Sequence, residues 1–285
     1  MDAALVAALA YVEASPDHRV LRRIIPPMAQ ISDARLVNAR SAMFVDCETT
    51  GLDHATAEVI EISMVAFWFD DDGIAQVMQA LHAYSEPKAP ITPEITKLTG
   101  ITNEMVAGWR LDPALVDEVA TRVGADCEVI IAHNAEFDRP FFEALGPSFA
   151  KRPWACSMSQ VPWDEHGING RRLEYIASSL GFFYDAHNAT SDCYAGIHVL
   201  GQKLGDGRTA LAHLLDRCFL DTKRVWAIGS MLIRLSPMTA NHCAGWYFWK
   251  FVHNALIHPL LALPWEPRWA QRAHDWTAQR CIGGG

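Results

Sequence analysis

Phe44-Val45-Asp46-Cys47-Glu48-Thr49-Thr50-Gly51-Leu52-Asp53 joins an apolar run to two alternating carboxylates. Read as a strand, the run places residues i and i+2 on one side, so Asp46 and Glu48 present their oxygens to a common point. Two carboxylates at the end of a buried strand repel each other and lose hydration, a combination costing several kcal/mol if nothing compensates. A hard divalent cation removes that cost. Taken alone, Asp-x-Glu fits an exposed strand end with two solvated acids better than a metal site, so the rest of the chain must decide.

Working outward, Ala42 to Cys47 reads as a first strand, Val59 to Asp70 as a second and Ile74 to Tyr84 as a third, with Asp70-Asp71-Asp72-Gly73 as the turn of an antiparallel meander. A Pro-rich loop is expected from Glu86 to Thr102, then a helix over Pro113 to Val123, a strand over Glu128 to Ala132 and a helix opening near Glu136. Strand alternating with helix implies parallel pairing, hence an α/β fold with a mixed sheet. Leu173 to Leu180, Thr190 to Leu204 and Thr209 to Phe219 carry helical spacing. The expected organisation is an N-terminal helical arm over 1–41, a main domain over 42–206 and a helical, Trp/His-rich extension over 207–285.

Half of the 285 residues are hydrophobic, enough for a sizeable core. The N-terminal Ala/Leu stretch has Asp2 and no basic residues ahead of it, which argues against a secretory signal and for a helix through the first 25 or so residues. Seven cysteines without a C-x-x-C pair suggest free thiols in a reducing compartment, so a cytoplasmic location is expected. The net charge of -9 divides into -14 over residues 1–206 and +5 over 207–285. An acidic body that collects cations is compatible with a polyanionic substrate, and it argues against tight non-specific duplex binding.

Two later segments carry further acids. Val129-Ile130-Ile131-Ala132-His133-Asn134-Ala135-Glu136-Phe137-Asp138 is a buried strand running into a helix with Asp138 in its first turn, and His187-Asn188-Ala189-Thr190-Ser191-Asp192 sets a loop histidine five residues before a carboxylate in another opening helical turn. In a mixed α/β sheet, strand ends and helix N-termini converge on one edge, so the four acids can meet. Singly, each has a plainer reading: Asp138 and Asp192 as acids favoured at positive helix ends, His187 as an ordinary loop histidine.

Asp-x-Glu-Thr-Thr-Gly, His-Asn-Ala-x-Phe-Asp and His-x4-Asp, in this order, resemble the DEDDh 3'-5' exonucleases of the DnaQ-like superfamily, which includes the proofreading epsilon subunit of bacterial DNA polymerase III and ribonuclease T. The resemblance spans roughly residues 40–206, with support at Glu58 to Ile62, Leu98 to Thr102 and Leu173 to Leu180. It implies a ribonuclease H-like fold with a five-stranded mixed sheet flanked by helices. It also implies metal-associated acids at Asp46, Glu48, Asp138 and Asp192, a general base at His187, and two Mg2+ or Mn2+ ions serving phosphodiester hydrolysis. Oxygen donors suit these hard ions, and a histidine with a reference pKa of about 6.5 suits proton uptake near neutrality.

Substrate contacts are expected from Thr49, Thr50 and Gly51, whose small side chains leave the backbone accessible, and from Leu52 and Ile101 against terminal bases; as rim hydrophobes these last two have an equally ordinary reading. His133 and Asn134, also candidate substrate contacts, fit better as residues fixing the turn before Asp138. Glu61 is expected to support the site rather than to react. The expected activity is removal of nucleoside 5'-monophosphates from the 3' end of single-stranded or frayed DNA. The alternatives are a 3'-5' exoribonuclease, or a weakly catalytic nucleic-acid-binding subunit docked to a DNA polymerase or other replication protein.

The extension holds six of the ten tryptophans and five of the twelve histidines. Lys250, His253, Asn254, His258 and Pro259 interrupt its apolar run from Trp246 to Leu263, which argues against stable membrane insertion and leaves open a docked helical hairpin or an interfacial segment. His253 and His258 are spaced i, i+5, which does not bring them to one helical face; with His274 they make a poor metal site.

Overall fold

The computed structural model describes residues 2–25, 39–217, 225–228 and 231–234. It divides into two units, Met1–Asp221 and Thr222–Gly285. In chain order the first unit comprises α1 (Ala3–Glu13), β1 (Arg22–Arg23), β2 (Arg40–Thr49), β3 (Val59–Asp70), β4 (Gly73–Tyr84), α2 (Pro93–Thr99), α3 (Asn103–Val106), α4 (Pro113–Val123), β5 (Cys127–Ala132), α5 (Ala135–Leu145), α6 (Pro147–Ala150), β6 (Trp154–Cys156), α7 (Leu173–Ser179), β7 (Phe182–Phe183), α8 (Ala189–Leu200) and α9 (Ala210–Asp216).

The main sheet has the order β4-β3-β2-β5-β6. β2 pairs antiparallel with β3 and parallel with β5, β3 pairs antiparallel with β4, and β5 parallel with β6, so the five-stranded sheet is mixed. Strand periodicity sorts the core into two layers. Ala42 and Phe44 of β2, Val65 and Phe67 of β3, and Val129 and Ile131 of β5 pack with residues of α7, α8 and α9. Met43, Val45 and Cys47, then Ile62 and Met64, then Ile130 and Ala132 pack on the opposite face with residues of α4, α5 and α6. Helices therefore cover both faces, as a sheet with near-continuous apolar strands requires.

Several expectations need correction. The Glu86 to Thr102 loop contains α2, capped by the Thr92 hydroxyl, opened by Pro93 and closed by Gly100 at φ 74°. The N-terminal helix stops at Glu13, and Arg22–Arg23 instead pair parallel with Phe182–Phe183, seating Ile24 in the core. The fifth strand, β6, had not been located in the sequence. In the second unit, Val225–Ile228 and Met231–Arg234 form an antiparallel pair, β8 and β9, where helix was expected. The Trp246 to Leu263 segment, His253, His258 and His274 lie outside the described residues. Cys47, Cys156 and Cys193 are buried thiols in no disulfide. Among the described residues, no helix is long and apolar enough to cross a membrane.

Candidate active site

Asp46 and Glu48 share the parity of Ala42 and Phe44, so the pleat turns them toward the face that α8 covers. α8 approaches closely because Gly196 lies against the Phe44 ring: a Cβ built on Gly196 would sit 2.2 Å from that ring. One turn earlier, Asp192 reaches the end of β2. Carboxylate oxygens of Asp46, Glu48 and Asp192 all lie within 4.8 Å of one another.

The crowding has an electrostatic signature. Burial, then Asp192 and Glu61, raise the Glu48 carboxyl to about 8. Asp46 is pushed well above its ordinary range by burial and then by Asp138 and Asp192. Asp192 is raised to about 6, chiefly by burial, with the Tyr184 hydrogen bond and His187 pulling the other way. Three carboxylates that hold protons this tightly form a site short of positive charge. Oxygen donors alone at this spacing fit a hard divalent cation.

Asp138 stands apart from the triplet. It is buried, and its Oδ1 accepts from the Cys47 backbone N–H at 3.2 Å and from the Cys47 thiol at 3.5 Å. Burial raises it to about 7, against the opposing pull of those two bonds. Asp138 therefore reaches the end of β2 from the α5 side, through the residue between the two paired acids.

Support for Asp192 and the start of α8 comes from Tyr184, Asn188 and Glu61. Tyr184 Oη donates to Asp192 Oδ1 at 2.8 Å, and the Asn188 N–H donates to Oδ2 at 3.1 Å. The Asn188 side chain caps α8 by accepting from the Ser191 N–H, and its Nδ2 donates to Glu61 Oε1 at 2.9 Å. Glu61, fully buried, also accepts from the Ala189 N–H and lies 2.8 Å from His82 Nε2. The sequence signal for this role was available: a glutamate inside the apolar run Val59 to Phe69 must find buried donors.

His187 has φ 62°, the one positive value at a non-glycine position among the described residues. Such a backbone costs on the order of 1 kcal/mol or more for a histidine and persists where its neighbours over-determine it. Its Nε2 lies 3.5 Å from Glu174 Oε1, and the side chain is half exposed.

The other candidates divide. Thr49 Oγ1 donates to the Gly51 carbonyl at 2.6 Å, and Thr50 Oγ1 accepts from the Glu58 N–H at 2.9 Å, so both hydroxyls stabilise the turn after β2. Leu52 is 84% exposed at that turn. Ile101 is corrected: it is 1% exposed, packed with Ile60, Ile91 and Val106, and has no surface left for a base. His133 lies 2.9 Å from Ser157 Oγ and 2.7 Å from the Arg171 carbonyl, while the Asn134 carbonyl accepts from the N–H groups of Phe137 and Asp138. These two residues hold the turn into α5.

Residues 43–200 match the family model described as Exonuclease (RNase_T). The chain belongs to this exonuclease family. The resemblance to the DnaQ-like 3'-5' exonucleases is thus borne out. The DNA polymerase III PolC-type of Halalkalibacterium halodurans is 27% identical over 166 residues, covering 56% of this exonuclease chain and 11% of that protein. Its Bacillus subtilis counterpart is 30% identical over 187 residues, covering 63% of the chain and 12% of the relative. The chain thus spans about a tenth of the length of these curated relatives. Among solved structures, Exonuclease X in complex with 5' overhanging duplex DNA aligns at 24% identity and a TM-score of 0.40, covering 55% of this chain and 88% of that one.

Proposed function

We propose that this chain is a DEDDh-type 3'-5' exonuclease that hydrolyses phosphodiester bonds from the 3' end of single-stranded or frayed DNA and releases nucleoside 5'-monophosphates. The observation that carries the reading is the convergence of Asp46, Glu48 and Asp192 within 4.8 Å, from a strand end and a helix start. Family membership supports a divalent metal, and the all-oxygen donor set favours Mg2+ or Mn2+. Two such ions, when bound, supply charge for both the attacking and the leaving oxygen of an in-line displacement.

The chain's own residues divide the remaining work. Asp46, Glu48 and Asp192 hold the ions, and Asp138 acts from the α5 side. His187 is the general base, and Glu174, whose Oε1 lies 3.5 Å from His187 Nε2, stabilises the imidazolium. The turn over Thr49, Thr50 and Gly51 offers backbone groups to the terminal nucleotide, with exposed Leu52 against its base.

We assign the catalytic domain to 42–206, between an N-terminal arm and a C-terminal extension, in a cytoplasmic protein. The name shared by its relatives, DNA polymerase III PolC-type, supports a place beside a replicative polymerase. The deciding experiment incubates the purified chain with 5'-labelled single-stranded DNA and matched RNA in Mg2+, in Mn2+ and in EDTA, with Asp46→Ala alongside. A metal-dependent ladder shortening from the 3' end of DNA, absent in the variant, is expected. Preferential shortening of RNA would replace the substrate, and a folded protein that cleaves neither polymer would overturn the assignment.

A further inference from the structure

Away from the carboxylate triplet, a second cluster is built from different donors. His166 ends the 3-10 turn Asp164–His166 that follows β6, Asp206 lies in the tight turn between α8 and α9, and His213 sits on α9. One ligand atom from each lies within 4.8 Å of the others. None of the three belongs to the exonuclease motifs.

The turn that carries Asp206 is firmly held. Leu204 N–H donates to the Arg208 carbonyl at 2.8 Å, Gly207 N–H to the Leu204 carbonyl at 2.8 Å, and Gly207 adopts φ 83°. Asp206 Oδ1 accepts from the Arg208 N–H at 3.1 Å. α9 is fixed from its other side, where Ala210, Leu211, Leu214 and Leu215 are buried in the core. The His213 side chain is only 12% exposed. Donors on such supports are placed before any ligand arrives, which limits the ordering cost of binding.

A hydrogen bond between His213 and Asp206 accounts for two of the three residues. His213 Nε2 lies 3.1 Å from Asp206 Oδ2 and 3.3 Å from Oδ1. It does not account for His166, whose ring stands 5.0 Å from that of His213, centroid to centroid. Among the described residues, no hydrogen bond reaches the His166 ring. Two imidazoles brought against one carboxylate are the donors that borderline first-row ions select, whereas the three carboxylates of the other cluster suit hard ions. Metal–nitrogen distances of about 2.0–2.1 Å place tetrahedral donors about 3.3 Å apart, close to the separation of His213 Nε2 from Asp206.

We propose that His166, Asp206 and His213 form a binding site for a divalent first-row transition ion of the Zn2+ class. The site joins the turn after β6 to α9, which are separated in sequence by more than forty residues, and so clamps the last helix of the first unit to the body. Ion pairs run parallel to it: Arg217 with Glu165, next to His166, and Arg208 with Asp216, on the other strand of the turn and the end of α9. The three protein donors leave a fourth position for water.

The test uses the full chain, stripped with EDTA, dialysed and titrated with Co2+ in excess Mg2+, which occupies the all-oxygen site. Visible d–d absorption saturating at about one equivalent is expected, with affinity lowered about 100-fold or more in His166→Gln and in Asp206→Asn. Asp206 lies on an exposed turn, so circular dichroism of Asp206→Asn separates loss of a ligand from loss of the fold. Zn2+ should raise the melting temperature of the parent chain and not that of Asp206→Asn. Co2+ spectra and affinities unchanged in both folded variants, or no Co2+ bound by the folded parent chain, would overturn the proposal.

Discussion

Glu48 and Glu61 stand directly opposite each other across the β2–β3 ladder. Like charges in that position are unfavourable, and the structure offsets the conflict by giving the two carboxylates different neighbours. Glu48 joins the cluster with Asp46 and Asp192, while Glu61 takes donors from Asn188, Ala189 and His82. One glutamate is available to a cation; the other fixes the start of the helix that completes the site.

Glu61→Ala removes the acceptor of two α8-terminal donors, leaving the Ala189 N–H buried and the Asn188 amide half-buried. The expected loss of stability is about 2–3 kcal/mol, read by urea denaturation. Activity should fall through kcat more than KM, because Asp192 and His187 lose their placement while the turn after β2 is untouched. Unchanged kcat in a folded Glu61→Ala would remove Glu61 from the supporting role.

His187→Asn separates backbone from chemistry. Asparagine tolerates a positive φ well, so the melting temperature should stay near that of the parent chain. The nuclease rate should drop by about 10^2–10^4, the usual contribution of a positioned general base. A variant retaining most of the rate would assign proton uptake elsewhere.

Gly196→Ala inserts a methyl group where the Phe44 ring already lies. Overpacking of this kind costs about 1–3 kcal/mol. Because α8 must back away from β2, the midpoint concentration of Mg2+ for activation should rise together with the loss of stability. A destabilised variant with an unaltered Mg2+ midpoint would uncouple helix seating from the site.

Without metal, stability should fall as pH rises. Glu48, Asp138 and Asp192 hold their protons in the folded chain to about 8, 7 and 6, above their ordinary values of 4.5, 3.8 and 3.8. The folded state therefore binds more protons than the unfolded one across that interval, and the protonation advantage is lost as pH climbs from about 4 to 8. Melting temperatures in EDTA should decline over this window, and Mg2+ should flatten the decline. A flat profile in EDTA would contradict the crowded-carboxylate picture.

Much of this was legible in the chain. β3 matched its expected limits and β2 and β4 nearly so, because long runs with period-two packing leave little ambiguity; the pleat put Asp46 and Glu48 on one side of β2 but left their role to the later segments. β6 escaped because three residues cannot establish a period. α2 escaped because Pro87, Pro90 and Pro93 together suggested a loop, although Thr92, Pro93 and Gly100 are each a helix-end signal in the proper place. Ile101 was misplaced because an apolar residue in a motif can serve the core beneath a site as well as the site itself. His82 and Tyr184 could not be found from spacing, since their partners lie in other elements or are fixed only once α8 has docked.

Asn188 is engaged at four polar groups: its N–H and its carbonyl with Asp192, its side-chain oxygen with Ser191 and its side-chain nitrogen with Glu61. Aspartate would keep the cap and set a second negative charge against Glu61; serine would keep the cap and fall short of it. A primary amide of this one length makes both side-chain bonds. The residue acts as a spacer gauge between sheet and helix, and any attempt to move this catalytic edge onto another scaffold must transplant position 188 along with the acids.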